Sequence, residues 1–114
     1  MGNYRNLIAW QKAMDFVEHV YAVTDQLPKH ETYGLADQLR RASVSIPSNI
    51  AEGQRRTGNK EIVHFTSIAL GSLAEVETQL ILVSKLYKID TIALLDEASE
   101  LGRILSGLTR YLRS

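Results

Sequence analysis

The sequence predicts an all-α protein, an up-down-up-down four-helix bundle that forms one domain over residues 1–114. Apolar residues recur at three- and four-residue steps along most of the chain, which is the spacing of one face of an α-helix. The chain has two prolines and seven glycines, fewer turn signals than an all-β chain of this length needs. A length of 114 residues suits a single domain with its own core.

The first predicted helix has an apolar stripe and ends before Pro28. Proline disfavours helical geometry in the residue that precedes it, so Leu27 marks the end of this helix. A short polar loop follows, in which the Thr32 side chain is placed to cap the second helix. The stripe of the first helix consists of Leu7, Trp10, Ala13, Met14, Val17, Val20, Tyr21 and Thr24.

The second predicted helix passes through Pro47 without losing its apolar phase. We therefore predict one helix kinked at Pro47 rather than two short helices. Proline leaves the carbonyl of Ser43 without its usual N–H partner, and Gly53 and the Gly58–Asn59 pair mark the end of the helix and a turn. The stripe consists of Leu35, Leu39, Ala42, Ile46 and Ile50, and nearby hydroxyls are those of Ser43, Ser45 and Ser48.

The third and fourth predicted helices complete the bundle. The third runs from about Lys60 to Lys88 with Asn59 as its N-cap, and its stripe includes Ile68 and Leu86. Residues 80–83 are apolar around almost a full turn, so we expect cover on more than one side. The fourth helix follows the capping pair Asp90 and Thr91, with carboxylates early and arginines late, as the helix dipole favours.

Composition excludes several classes of protein. The 13 Lys and Arg residues balance 13 Asp and Glu residues, which argues against a protein that coats nucleic acid by bulk charge. The chain has no cysteine, so disulfides, thiolate metal sites and a cysteine nucleophile are excluded. No continuous apolar run approaches the ~20 residues of a membrane span, and the N-terminus lacks a signal-peptide layout. We expect a cytoplasmic protein with no membrane contact.

Catalytic and metal sites have little support in the sequence. Glu61-x-x-His64 is half of a di-iron carboxylate motif, but neither His19 nor His30 has an acidic residue three positions before it. The glycines are scattered, so no phosphate-binding loop is predicted. We expect no metal, no cofactor and no enzymatic activity, with Glu61 and His64 as solvated residues near a helix start.

The one local charge anomaly is the segment 37–60, where five basic residues oppose Asp37 and Glu52. Arginine forks bind phosphates in pairs, so this segment is the candidate nucleic-acid-binding site. Its basic residues are Arg40, Arg41, Arg55, Arg56 and Lys60. In the alternative reading, Arg41 and Arg56 bond helix carbonyls or Glu52 and only solvate a helix face.

Two further features of the second helix concern packing. Asn49 falls on the core side, where we favour an amide that satisfies backbone groups near Pro47 or sets packing register over a ligand contact. A weaker apolar edge lies beside it, formed by Arg40, Val44, Pro47 and Ala51. Together with residues 80–83, this edge favours self-association; the competing explanation is a wide monomer core.

The segment 35–53, with Ser-Ile-Pro-Ser-Asn-Ile-Ala-Glu-Gly at 45–53, resembles a known bacterial family. Trp10, residues 33–35, Phe65 and residues 68–75 extend the resemblance over nearly the whole chain. The family consists of four-helix-bundle proteins encoded in intervening sequences of 23S rRNA genes. The accessory variability determinant of diversity-generating retroelements is similar to them.

The resemblance implies a ring-like homopentamer. For the retroelement members it also implies binding to a reverse transcriptase and to nucleic acid without catalysis. The positions carried over are Arg40, Arg41, Asn49, Glu52 and Arg55 or Arg56, with Pro47 and Gly53 in the structural motif. We therefore predict a non-enzymatic oligomeric module that binds RNA or DNA through an arginine-rich face; the alternative is a protein-interaction scaffold with no nucleic acid role.

Overall fold

The computed structural model describes residues 3–113, and four α-helices make up most of this range. The helices are α1 (Ile8–Thr24), α2 (Leu35–Arg55), α3 (Asn59–Tyr87) and α4 (Ile92–Arg113), with 3-10 turns at Tyr4–Asn6 and Lys29–Glu31. No strand occurs within residues 3–113. The prediction of an all-α, four-helix protein is confirmed.

The helices pack as a bundle of 44 × 22 × 20 Å. Each helix contacts the next one along the chain, and α1 also contacts α4. Helix α2 is continuous through Pro47, which confirms one helix rather than two. The kink at Pro47 and the up-down-up-down order stay predictions.

The core of the bundle contains side chains from all four helices. The predicted face of α1 is right only in part: Ala13, Val20 and Thr24 are buried, but Met14 and Tyr21 are each about 40% exposed, and Phe16, which the stripe omits, is fully buried. Apolar residues occupy more than half of the circumference of α1, so their spacing alone did not identify the core face. The largest fully buried side chains are Phe16, Leu39, Ile46, Leu80, Leu101 and Leu105.

Helix α3 leaves much apolar surface uncovered. We predicted cover on more than one side of residues 80–83, but within the single chain only Leu80 and Val83 are buried, while Ile81 and Leu82 are 47% and 41% exposed. By length and composition alone α3 could cross a membrane, with a mean hydropathy of 1.2 over 18 residues, of which 39% are buried in the bundle. A single chain of this fold therefore has no wide core that encloses these residues.

Two of the predicted helix caps are wrong. The Thr32 hydroxyl donates to the Lys29 carbonyl at 2.7 Å, because the intervening chain forms a 3-10 turn and α2 begins only at Leu35. Glu31 accepts instead from the Leu35 N–H at 3.1 Å. Asn59 is the first residue of α3, not its cap.

The turn before α3 uses glycine where a left-handed backbone is needed. Gly58 has a φ of 89°, a conformation that residues with a Cβ rarely adopt.

In the connection between α3 and α4, Asp90 Oδ1 accepts a hydrogen bond from the Ile92 N–H at 3.0 Å. This contact confirms Asp90 as the cap of α4.

Candidate nucleic-acid interface

The motif at residues 45–53 holds α2 against α3. The Asn49 amide donates to the Ser45 carbonyl at 2.8 Å and to the Ser45 hydroxyl at 2.9 Å. The Ser45 hydroxyl also lies 2.8 Å from the Ser72 hydroxyl of α3. The Asn49 amide thus bonds Ser45 of its own helix, and the Ser45 hydroxyl makes the contact between α2 and α3.

Gly53 is buried inside α2 rather than at its end. A Cβ at this position would lie 3.0 Å from the Phe65 Cβ and 3.5 Å from the Ile62 carbonyl oxygen. Glycine therefore allows α2 and α3 to approach closely here. Pro47 is buried as well, so both residues serve the packing of α2.

Arg40 is bound to α1 and does not face the other predicted arginines. Its Nε donates to the Thr24 hydroxyl at 2.9 Å, and its Nη2 lies 3.3 Å from Asp25 Oδ1. Its guanidinium also lies 5.3 Å from the centre of the Tyr21 ring. These contacts hold the N-terminal half of α2 against the end of α1, about 22 Å along the helix from Arg55.

Arg41 and Arg56 each form an ion pair with the carboxylate four positions earlier in the sequence. Arg41 Nε lies 3.0 Å from Asp37, and Arg56 Nε lies 3.0 Å from Glu52. The alternative reading named Glu52 correctly for Arg56, while Arg41 takes Asp37 instead. Because both pairs are exposed, they contribute little to stability and either arginine can exchange its partner for a phosphate.

The Tyr4 ring brings two arginines together at the end of the bundle. The Arg5 and Arg55 guanidinium carbons lie 5.6 and 5.7 Å from the ring centre, within the range of a cation–π contact. The Trp10 ring meets Tyr4 edge to face, with ring centres 5.5 Å apart. Arg55 is thus placed beside an arginine that lies 50 positions earlier in the sequence.

The C-terminus of α4 adds further positive charge at the same end. The Asn59 amide lies 3.5 Å from the Leu112 carbonyl, and Lys60 and Arg113 line one surface pocket of about 390 Å³. We call this surface the basic end. Its basic residues are Arg5, Arg55, Arg56, Lys60, Arg110 and Arg113, and the acidic residues near them are Glu52 and Glu61.

The basic end differs from the site predicted from sequence. Arg55, Arg56 and Lys60 belong to it, Arg40 does not, and Arg41 lies about 21 Å along α2 from Arg55. Sequence reasoning missed Arg5, Arg110 and Arg113 because charge was counted in one continuous segment. The arginines near the end of α4 could have indicated this site, but we attributed their position to the helix dipole.

An apolar groove between α1 and α2 opens beside the basic end. Its volume is about 370 Å³, and the predicted apolar edge of α2 forms one wall. The lining residues are Tyr4, Trp10, Met14, Val17, Val44, Pro47, Ser48 and Ala51. Met14 and Val44 are each 41% exposed, so no other element of residues 3–113 covers the groove.

Polar clusters elsewhere serve the contacts between helices. The Tyr87 hydroxyl, and then the Leu35 N–H, hold the pKa of Glu31 below its ordinary value, and the hydrogen bond from Lys12 does the same to the pKa of Glu100. His64 packs edge to face against Phe65. Within residues 3–113 no group of three or more His, Asp or Glu side chains is placed to hold a metal.

Comparison with known proteins gives the same fold and one family. A crystal structure of a protein of unknown function from the S23 ribosomal protein family of Bacteroides thetaiotaomicron superposes with a TM-score of 0.81 at 18% identity, covering 90% of this chain and 98% of that one. None of the curated proteins compared with this chain matches it. The family model described as 23S rRNA-intervening sequence protein matches residues 5–107. Since that match covers most of the sequence, the chain belongs to the family of 23S rRNA-intervening sequence proteins.

Proposed function

We propose that this protein is a non-enzymatic, oligomeric module that binds the phosphates of RNA or DNA through its basic end. One observation carries the proposal. Of the six basic side chains there, only Arg56 forms an ion pair within residues 3–113. The others keep their charge available to an anion, and clustered free cations are what phosphate backbones attract.

The outward face of α3 supports the oligomeric part of the proposal. This face carries exposed apolar or small residues around one exposed carboxylate, that of Glu75: Ile68, Gly71, Ala74, Thr78, Ile81 and Leu82. Apolar surface of this kind is typical of sites covered by another chain. We propose self-association through α3, with the pentamer that the family resemblance implies as the expected state.

Self-association would also strengthen phosphate binding. A single basic end offers few contacts, and affinity for nucleic acid rises with the number of phosphates neutralised. Copies joined in one assembly present several such surfaces to the same strand, which raises the effective local concentration of each. The balanced charge of the whole chain is therefore compatible with binding through one end.

A mobility-shift titration against salt tests phosphate binding. Wild-type protein should bind at about 50 mM salt and lose affinity steeply as salt rises. The triple variant Arg55→Ala, Lys60→Ala, Arg113→Ala should lower the salt slope by about 2–3 if each side chain contacts one phosphate. No binding by the wild-type protein in low salt would rule the function out.

A charge-matched variant at the opposite end provides the control. Lys29→Ala, Lys85→Ala and Lys88→Asn remove the same charge from the far end of the bundle, and asparagine tolerates the left-handed backbone of Lys88, whose φ is 59°. This variant should bind as the wild-type protein does. If both triple variants weaken binding equally, net charge rather than the basic end is responsible.

A further inference from the structure

We propose that the groove between α1 and α2 accepts unpaired bases, so that the protein binds single strands in preference to duplex. This inference rests on the proposed function and names the form of nucleic acid that the same end of the molecule would select. It begins from the aromatic residues at the mouth of the groove. Tyr4 and Trp10 both line the groove and meet edge to face, and the Tyr4 ring lies beside Arg5 and Arg55.

The position of Tyr4 is fixed before any ligand binds. Asn3 Oδ1 accepts from the Arg5 N–H at 3.0 Å, and the Gln11 amide of α1 donates to the Arg5 carbonyl at 2.9 Å. The Leu7 N–H closes the same turn on the Tyr4 carbonyl at 3.0 Å. These bonds fix the backbone that carries Tyr4, and the edge-to-face contact with Trp10 places its ring. A ring placed in this way loses little conformational freedom when a base stacks against it.

The chemistry of the groove suits a base better than a phosphate. Its walls are mainly apolar, whereas the adjoining guanidinium groups carry positive charge. Aromatic faces and apolar side chains next to cations are the arrangement that binds exposed bases and their backbone together. A duplex keeps its bases stacked inside and offers this groove only phosphate, so the groove adds nothing to duplex binding.

Trp10 provides a direct measurement of occupancy, because it is the single tryptophan of the chain. Oligo-dT and oligo-rU of about 12 nucleotides, a length within the usual range for single-strand sites, are titrated into the full chain alongside a duplex of mixed sequence. We expect the single strands to bind more tightly than the duplex and to change Trp10 emission, while the duplex leaves it unchanged.

The variant Tyr4→Leu separates stacking from charge. Leucine keeps apolar bulk but has no aromatic face, so single-strand affinity should fall ~5- to 150-fold, the range that one base stack supplies. Duplex affinity and the salt slope should stay as in the wild-type protein. Tyr33→Leu is the matched control, since Tyr33 is 94% exposed and precedes α2 at the opposite end of the bundle; it should leave single-strand binding unchanged.

Three results would overturn this inference. Equal affinity for single strand and duplex, with constant Trp10 emission, would show that the protein binds phosphate but that no base enters the groove. Trp10 emission that responds to protein dilution and not to oligonucleotide would assign the groove to a second copy of the chain. No binding of either nucleic acid would refute the proposed function together with this inference.

Discussion

Gly53 offers the sharpest test of how α2 and α3 pack. In most helices, replacement of a glycine by alanine stabilises the fold, because alanine has the higher helix propensity by about 1 kcal/mol. At position 53 the added Cβ would meet the Phe65 Cβ at 3.0 Å and the Ile62 Cα at 3.5 Å. Carbon atoms in van der Waals contact prefer ~3.5–4.0 Å, so the two helices must move apart.

The size of the effect follows from two opposing contributions. The contact atoms belong to the backbone of α3 or to the first atom of a side chain, so no rotamer change can relieve the overlap. Overpacking of this kind costs about 1–3 kcal/mol, against which the gain in helix propensity is about 1 kcal/mol. We therefore expect Gly53→Ala to lower the free energy of unfolding by up to ~2 kcal/mol.

Thermal and urea unfolding followed by circular dichroism measure this change. The expected loss corresponds to a Tm lowered by up to ~10 °C for a domain of this size. Gly107→Ala is the control, because its Cβ would meet nothing nearer than the flexible end of Arg110 at 3.9 Å; it should raise stability by ~0.5–1 kcal/mol. If Gly53→Ala raises the Tm as the control does, the close-approach argument is wrong.

Two further predictions concern contacts away from the basic end. Arg40→Ala should lower stability by ~1–2 kcal/mol, since it loses a hydrogen bond and a cation–π contact to α1, yet nucleic acid affinity in a mobility-shift assay should stay within about twofold. The pKa of Glu31 lies below its ordinary value near 4.5, so this carboxylate stabilises the fold above that pH and the contribution is lost as pH falls through the lower, folded value. Glu31→Gln should therefore show a smaller drop in Tm between about pH 7 and pH 3 than the wild-type protein; an unchanged drop would contradict the assignment.

The helices could be predicted from the sequence wherever their apolar residues lie on one narrow face. In α2, four members of the predicted stripe, Leu39, Ala42, Ile46 and Ile50, are buried. The buried face of α1 was harder to predict, because the exposed pair Met14 and Tyr21 and the buried pair Phe16 and Val23 are both seven positions apart. Only contact with the other helices distinguishes two apolar faces of one helix.

The candidate site was predictable only in its local part. Arg55, Arg56 and Lys60 are close in sequence, so a charge count finds them. Arg5 and Arg113 reach the same end through the packing of α1 and α4, and no local pattern records that. Arg40 was included in the predicted site because it lies in the basic segment. Its guanidinium instead bonds a hydroxyl and a carboxylate at the end of α1.

The basic end is assembled from the two termini and the central turn of the described chain, and this has a thermodynamic consequence. Its basic side chains lie close together only in the folded state, because Arg5 and Arg113 are more than a hundred positions apart in the sequence. A polyanion that binds there discriminates between folded and unfolded chains and therefore stabilises the fold in proportion to the logarithm of its concentration. Folding and binding at this surface are linked, so a change that separates the helix ends weakens both.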